Sequence, residues 1–419
     1  MNPIIIIGAG LAGWTTAREF RKLDATTPVV MITADSGDFY AKPTLSNAFA
    51  QKKAPDQLVV TPAAKMAETQ NVTLLAHMRV LRFDPCVKTV TTEKDGVIRS
   101  FDFSSLVLAT GAAPIRIPVA GDAAEQVLSV NSLDDFSSFY EALKTASSRR
   151  IHCLSSYEND SKNAPENALA RVVIMGAGLI GCEFANDLIN AGYQVSVVDP
   201  ASRPLGALLP EAASEQLRQA LQDLDVQWHF GTTVQAVNKA ANQPGKDAES
   251  AQQVTLANGE TIPADVVLSA IGLRADTRLA IAAGLACERG IQVDAALQTS
   301  APNVYALGDS AQYASAGNTT LPYVMPIMNA ARALAQTLTQ TLAGNKTDVL
   351  FPVMPVAVKT PALPLMIAPP AIGSKGQWTS AEPNVWQFNN EQNAVIGFVL
   401  AGAQTSKRAE MVKLLQAAL

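Results

Sequence analysis

Hydrophobic positions along the chain fall into short unbroken runs, separated by stretches with helical spacing. The first run is Ile4-Ile5-Ile6-Ile7. It leads into Gly8-Ala9-Gly10-Leu11-Ala12-Gly13 and then into an apolar-periodic segment, residues 14–23. The same order returns later as Val172-Val173-Ile174-Met175, then Gly176-Ala177-Gly178-Leu179-Ile180-Gly181, then residues 182–191. A short apolar run bounded by glycine reads as a buried strand, and apolar positions three and four apart read as a helix. The pattern therefore predicts strand, tight turn and helix, twice. A second strand follows in each case: residues 28–33, ending near Asp35, and residues 194–198, ending at Asp199. Leu106-Val107-Leu108-Ala109 and Val266-Val267-Leu268 predict a later strand in each half.

Between these runs the polar stretches 155–168 and 238–253 read as an exposed loop and a strand connection. Beyond Leu321 prolines become dense, and the runs 385–388 and 394–400 suggest an antiparallel sheet. Residues 407–419 look like a closing amphipathic helix. The chain is thus expected to end in a third, α+β domain.

Composition narrows the classes. With 419 residues, 48% of them hydrophobic and 16% charged, the chain has the makings of a well-packed protein of two or three domains. A net charge of −5 without a basic run gives a polyanion nothing to bind, so nucleic acid is not expected as a partner. The apolar stretch 353–372 is about long enough to span a bilayer. Yet it holds Lys359 and prolines 355, 361, 364, 369 and 370, which break a helix repeatedly, so strand and turn are expected there and no membrane insertion. The opening isoleucines lack a basic region before them and do not read as a signal peptide, which leaves the cytoplasm as the expected compartment. Cys86, Cys153, Cys182 and Cys287 form no CxxC or CxxxxC, and His77, His152 and His229 are scattered. Neither a redox dithiol nor a metal site is expected.

The glycine motifs carry the chemistry. Gly8 and Gly176 allow the tight turn, Gly10 and Gly178 let a pyrophosphate approach the backbone, and Gly13 and Gly181 let helix and strand pack closely. The helix N-terminus offers unpaired N–H groups to the phosphates. Asp35 and Asp199, each roughly 20 residues beyond its motif, suit ribose hydroxyls. Two dinucleotide sites in one chain fit an electron-transfer enzyme with a resident carrier and an exchanging donor, FAD and NAD(P)H. A carboxylate at Asp199 favours NADH and repels the extra phosphate of NADPH, although Arg203 stands close enough in sequence to soften that repulsion.

Three segments add a resemblance: Leu106 to Ala112, ending in Ala109-Thr110-Gly111-Ala112; Val266 to Arg274; and Thr299 to Asp309, ending in Tyr305-Ala306-Leu307-Gly308-Asp309. With the glycine motifs, they make the chain similar to flavoproteins of the pyridine nucleotide-disulfide oxidoreductase fold. The resemblance implies an α/β architecture of two Rossmann-like dinucleotide-binding domains and a C-terminal α+β domain. The expected division is an FAD domain over 1–115 and 255–320, an NAD(P)H domain over 116–254, and a last domain over 321–419. It assigns Gly8, Gly10, Ala12, Gly13, Asp35, Thr110, Gly111 and Asp309 to FAD. Gly176, Gly178, Gly181 and Asp199 go to the nicotinamide dinucleotide. A helix cap is the other reading of Asp309.

The electron acceptor depends on the region after the first unit. Disulfide reductases of this fold carry CxxxxC there, and peroxidases and oxidases a single cysteine. Here it reads Asp38-Phe39-Tyr40-Ala41-Lys42-Pro43-Thr44-Leu45-Ser46-Asn47, with no cysteine. This segment, together with Val358-Lys359-Thr360-Pro361-Ala362-Leu363-Pro364-Leu365, resembles the rubredoxin and flavorubredoxin reductase branch. That likeness implies hydride transfer from NADH to FAD and single-electron transfer to rubredoxin, as used in alkane hydroxylation or in oxygen and nitric oxide detoxification. Lys42 and Pro43 are expected to border the flavin ring, with Lys359 and the segment from Pro322 to Pro326 in similar positions. A solvated surface is the competing reading for both lysines. Glu183 stands either near the nicotinamide or simply at a favourable helix N-terminus. Lys42, Lys52, Lys53 and Lys65 are candidates for docking an acidic partner. A ferredoxin reductase of an oxygenase system, an NADH oxidase or peroxidase, and a nucleotide-sensing protein without catalysis are the rival readings.

Overall fold

The computed structural model describes residues 2–157, 169–240, 251–340, 346–371 and 373–417. Two compact units share the chain. The first holds Met1–Ala41, Val59–Ala113 and Leu273–Met354; the second holds Lys42–Leu58, Pro114–Gly272 and Pro355–Leu419.

The first unit is built on a parallel sheet in the order Val304–Ala306, Ser105–Leu108, Ile4–Ile7, Val29–Ile32, Thr73–Leu75. Ile4–Ile7 and Ser105–Leu108 are buried at every position, which is why they read as unbroken apolar runs rather than alternating ones. The first motif helix, Leu11–Arg21, buries Trp14, Ala17 and Phe20. A second helix, Val324–Gln340, packs along it. An antiparallel sheet of Arg79–Asp84, Thr89–Lys94 and Val97–Asp102 completes the unit.

The second unit repeats the plan. Its parallel sheet runs Gln227–Phe230, Gln194–Asp199, Arg171–Met175, Val266–Ser269. The second motif helix spans Leu179–Asn190. A three-stranded antiparallel sheet (Val234–Lys239, Gln252–Leu256, Thr261–Ala264) stands beside it in the chain. The C-terminal part of this unit is an antiparallel sheet in the order Val356–Val358, Leu365–Ala368, Val395–Ala401, Val385–Asn390, Gly376–Glu382. Helix Arg408–Ala417 packs on its central strand. The α/β class with two dinucleotide-type sheets and a separate C-terminal sheet is therefore as the sequence suggests. Among the described residues no helix is long and apolar enough to cross a membrane.

The division differs from the expected one at three places. Val266–Ser269 pairs in parallel with Arg171–Met175, so residues 255–272 belong to the second unit. Helix Val324–Gln340 packs on the first motif helix, which moves the start of the C-terminal part from residue 321 to 355. Lys42–Leu58 also belongs to the second unit, for reasons given below. Two loop expectations need adjustment. Helix Leu133–Tyr157 runs into the stretch expected as loop from residue 155, and residues 158–168 lie outside the described residues. The connection expected over 238–253 is flanked by paired strands, and its centre, residues 241–250, lies outside the described residues too.

Candidate functional site

The first glycine turn is shaped by close backbone approach. Gly8 sits at φ +107°, and a Cβ there would lie 2.2 Å from the Ala109 carbonyl oxygen. A Cβ on Gly13 would lie 1.9 Å from the Gly8 carbonyl oxygen. Both positions demand glycine for the fold itself. Gly10 does not: its φ is −76°, which any residue adopts, and a Cβ there meets no protein atom within 4 Å. The second turn repeats this. Gly176, at φ +105°, and Gly181 are closed by Ala270 and Gly176 backbone at 2.7 Å and 1.9 Å, while Gly178, at φ −77°, has open space. Each helix thus opens on bare backbone with room in front of it, which fits a dinucleotide pyrophosphate in both units.

The acidic residues are held differently. Asp35 Oδ1 accepts from the Thr33 hydroxyl at 2.6 Å and from the Gly37 N–H at 3.0 Å. Trp14 of the motif helix donates its indole N–H to the Gly37 carbonyl at 2.9 Å, tying that turn to the helix. Asp199 accepts from the Ala177 N–H with one oxygen (2.6 Å) and from the Ala201 N–H with the other (2.7 Å). The Ala177 carbonyl in turn accepts from the Leu205 N–H at 2.9 Å, so the loop after Asp199 is fastened to the glycine turn. Arg203 donates to the carbonyls of Leu209 (3.2 Å) and Gly206 (3.4 Å), engaged within its own loop.

Two more segments complete the first unit's cradle. Thr110 donates to the Asp276 carbonyl at 2.9 Å, and the Asp276 N–H donates to the Gly111 carbonyl at 2.9 Å. Gly308, at φ +78°, starts a single 3-10 turn with Asp309 and Ser310, and a Cβ on it would lie 3.0 Å from the Cβ of Ala12. Pro322 is exposed, whereas Pro326 is buried in helix Val324–Gln340.

In the second unit, the motif helix does more than cap a dinucleotide site. It is apolar apart from Glu183, Asn186, Asp187 and its last residue, and those three inner polar side chains are buried. Residues three and four apart share a helix face, and this face grips two distant segments. Glu183 accepts from the Ser46 hydroxyl at 2.6 Å and from the Lys359 N–H at 2.9 Å, with the Lys359 ammonium 3.6 Å away. Asn186 accepts from the Ala362 N–H at 3.0 Å. Asp187 accepts from the N–H groups of Phe49 and Ala50, both at 2.9 Å. Burial pushes the Asp187 carboxyl above its usual range, against the pull of those backbone donors. The Lys359 ammonium also donates to the Pro43 carbonyl. Lys42 donates to Asn131 at 2.9 Å.

Pro43, Glu183 and Lys359 are therefore brought together, and Lys42 stands on Asn131. The sequence reading missed Ser46, Asn131, Asn186 and Asp187. A signal for two of them was present: Asn and Asp inside an apolar helix, one turn beyond Glu183. Of the docking lysines, Lys52 and Lys53 are exposed, and Lys65 pairs with Glu68 at 2.9 Å. Burial raises the Cys182 thiol, helped by Asp199 and Glu183, and burial raises Cys287.

Comparison with known proteins adds independent findings. A family model described as pyridine nucleotide-disulphide oxidoreductase matches residues 2–337, and one described as rubredoxin binding C-terminal domain matches residues 348–415. A protein of Alcanivorax borkumensis named rubredoxin-NAD(+) reductase is 43% identical, over 100% of this chain and 99% of its own. One of the same name from Acinetobacter baylyi is 42% identical, over 97% and 96%. The putidaredoxin reductase–putidaredoxin complex contains a chain with a TM-score of 0.80, 23% identity, and coverage of 99% of this chain and 93% of that one, which shows a shared fold.

Proposed function

The chain belongs to the pyridine nucleotide-disulphide oxidoreductase family, and from that premise we propose that it is an NADH:rubredoxin oxidoreductase with FAD at the first cradle and NADH at the second. The observation that carries the proposal is the join between residues 42–47, which contain no cysteine, and Lys359 of the segment matched as rubredoxin-binding. Bound FAD supplies the chemistry of accepting a hydride from NADH and releasing electrons one at a time.

The chain's own residues do the holding. Gly10 and Gly178 leave backbone N–H groups open to the two pyrophosphates. Asp35 and Asp199 present carboxylate oxygens, each with lone pairs beyond those already used, to ribose hydroxyls. Asp199 disfavours a 2′-phosphate, and Arg203, engaged with two carbonyls, does not offset it, so NADH is the donor. Thr110, Gly111, Ala12 and Asp309 hold the FAD on the first unit's side. Glu183, near the nicotinamide, neutralises Lys359 while fixing its backbone, and Lys359 in turn holds the Pro43 carbonyl. The partner is a small acidic iron protein. Exposed Lys52, Lys53, Lys375, Arg408 and Lys413 offer it positive charge despite the net charge of −5. A cytoplasmic location is in keeping with NADH as the donor.

The test is reduction of purified rubredoxin, followed by its colour, with NADH under argon. A two-iron ferredoxin serves as the competing acceptor. Faster turnover with rubredoxin supports the proposal. A rate that rises only with ferredoxin moves the protein to the oxygenase-coupled reductases.

A further inference from the structure

Asp309 is placed by a turn that is held from outside its own segment. Gly308, which precedes it, is buried and left-handed, and a Cβ on it would stand only 3.0 Å from the Cβ of Ala12. The turn therefore touches the start of the first motif helix. A displacement at Gly308 would move Asp309 relative to the bare backbone at Gly10.

The turn is held by the Leu307 N–H donating to the Leu108 carbonyl, by the Ala311 N–H donating to the Gly308 carbonyl, and by the Tyr313 hydroxyl. That hydroxyl accepts from the Gly308 N–H at 2.8 Å and lies 3.3 Å from the Gly308 carbonyl, to which it donates. One hydroxyl thus satisfies both polar groups of a single buried residue. The ring itself is fixed. Tyr313 is fully buried and packs edge-on against Phe351, with centroids 4.8 Å apart. Its strand, Ala311–Tyr313, pairs with Ile291–Val293 on one side and Thr319–Thr320 on the other. The neighbouring Gln312 accepts from the N–H groups of Arg289 and Gly290 and donates to Glu288 and the Asn318 carbonyl. A hydroxyl on so rigid a mount sets the turn's position rather than following it.

We infer that Tyr313 is a positioning residue for the flavin dinucleotide, holding the Gly308–Asp309 turn in register with Ala12 and so setting the affinity for FAD. This rests on the reading of the first cradle as the FAD site. Tyr313→Phe keeps the ring and its packing but leaves the buried Gly308 N–H without its acceptor. Such a loss corresponds to weakening on the order of 10-fold.

The full-length chain, freed of flavin, is titrated with FAD by fluorescence quenching in three forms: wild type, Tyr313→Phe and Asp309→Ala. Melting of each flavin-free form and its affinity for NAD+ are measured alongside. The expected result is a roughly 10-fold higher FAD Kd for Tyr313→Phe, with NAD+ affinity unmoved and flavin-free melting lowered only modestly, and a higher FAD Kd for Asp309→Ala. Unchanged FAD affinity in Tyr313→Phe, with Asp309→Ala weakened, overturns the positioning role alone. Unchanged affinity in both overturns the FAD reading of the first cradle as well. A Tyr313→Phe protein with lower melting and weaker binding of both nucleotides overturns the inference, since the hydroxyl would then be a general structural contact.

Discussion

Replacing Asp187 by alanine tests the idea that the second motif helix anchors residues 42–50. The carboxylate is buried and receives two backbone N–H groups, from Phe49 and Ala50. Alanine leaves the buried Phe49 N–H without an acceptor, at a cost of about 1–3 kcal/mol, while the Ala50 N–H belongs to an exposed residue and can turn to water. Relief of the buried charge offsets part of this, because burial already makes ionising Asp187 unfavourable. The net expectation is a local destabilisation of about 1–2 kcal/mol. Asparagine retains one acceptor and is expected to cost roughly half as much. Local opening is the right observable, since the segment can detach without global unfolding. Hydrogen exchange at the Phe49 and Ala50 amides is therefore expected to accelerate roughly 5- to 30-fold in Asp187→Ala. Acceleration of less than about threefold would refute the anchoring. The pH dependence has a definite sign. The folded-state pKa of Asp187 lies above its unfolded value, so the folded state holds the proton more tightly. Its contribution is fully present below the unfolded pKa, near ~3.9, and declines as pH rises through the folded value. The advantage of wild type over Asp187→Asn should accordingly be greatest at the acid end and shrink as pH increases.

Gly178→Ala is expected to leave melting within about 0.5 kcal/mol of wild type while raising the KM for NADH at least tenfold, since the added Cβ meets no protein atom but fills the pyrophosphate's approach. Calorimetric unfolding and steady-state kinetics check the two halves. Gly181→Ala, with its Cβ 1.9 Å from a carbonyl oxygen, should instead lower stability outright, measured by the same unfolding experiment. Asp199→Ala is expected to lose NADH affinity and also to loosen the loop after it, because the carboxylate holds the Ala177 and Ala201 N–H groups. Faster exchange at those two amides, alongside a raised KM, checks this; a raised KM with unchanged exchange would contradict the loop role.

The parts of the fold legible in sequence are those decided by local sterics. Gly13 and Gly181 are required by close approach to the carbonyls of Gly8 and Gly176, and Gly8 and Gly176 by their positive φ, so the motif announces its own geometry. The buried parallel strands are legible because burial on both faces removes polar residues from the run. Membership of a sheet is another matter. Nothing in the apolar run 266–269 says which parallel neighbour it will take, and that choice is made by the ladder with Arg171–Met175. Lys42–Leu58 interrupts the first unit in the chain yet belongs with the second, because its partners are Glu183 and Asp187, distant in sequence and visible only as polar residues in an apolar helix. Tyr313 gave no signal at all. Its role depends on a hydroxyl meeting a peptide across a turn, and neither spacing nor composition encodes that meeting. Arg203, near enough in sequence to reach a 2′-phosphate, instead donates to carbonyls of its own loop.

The most direct measurement is electron stoichiometry. Purified protein is given limiting NADH under argon with excess oxidised rubredoxin, and reduced rubredoxin is counted by absorbance. A donor of two electrons feeding a one-electron carrier should yield two reduced rubredoxins per NADH, with catalysis unaffected by a thiol-alkylating reagent. NADH consumed without reduction of rubredoxin, or activity abolished by alkylation, would contradict a flavin that discharges directly to an iron protein.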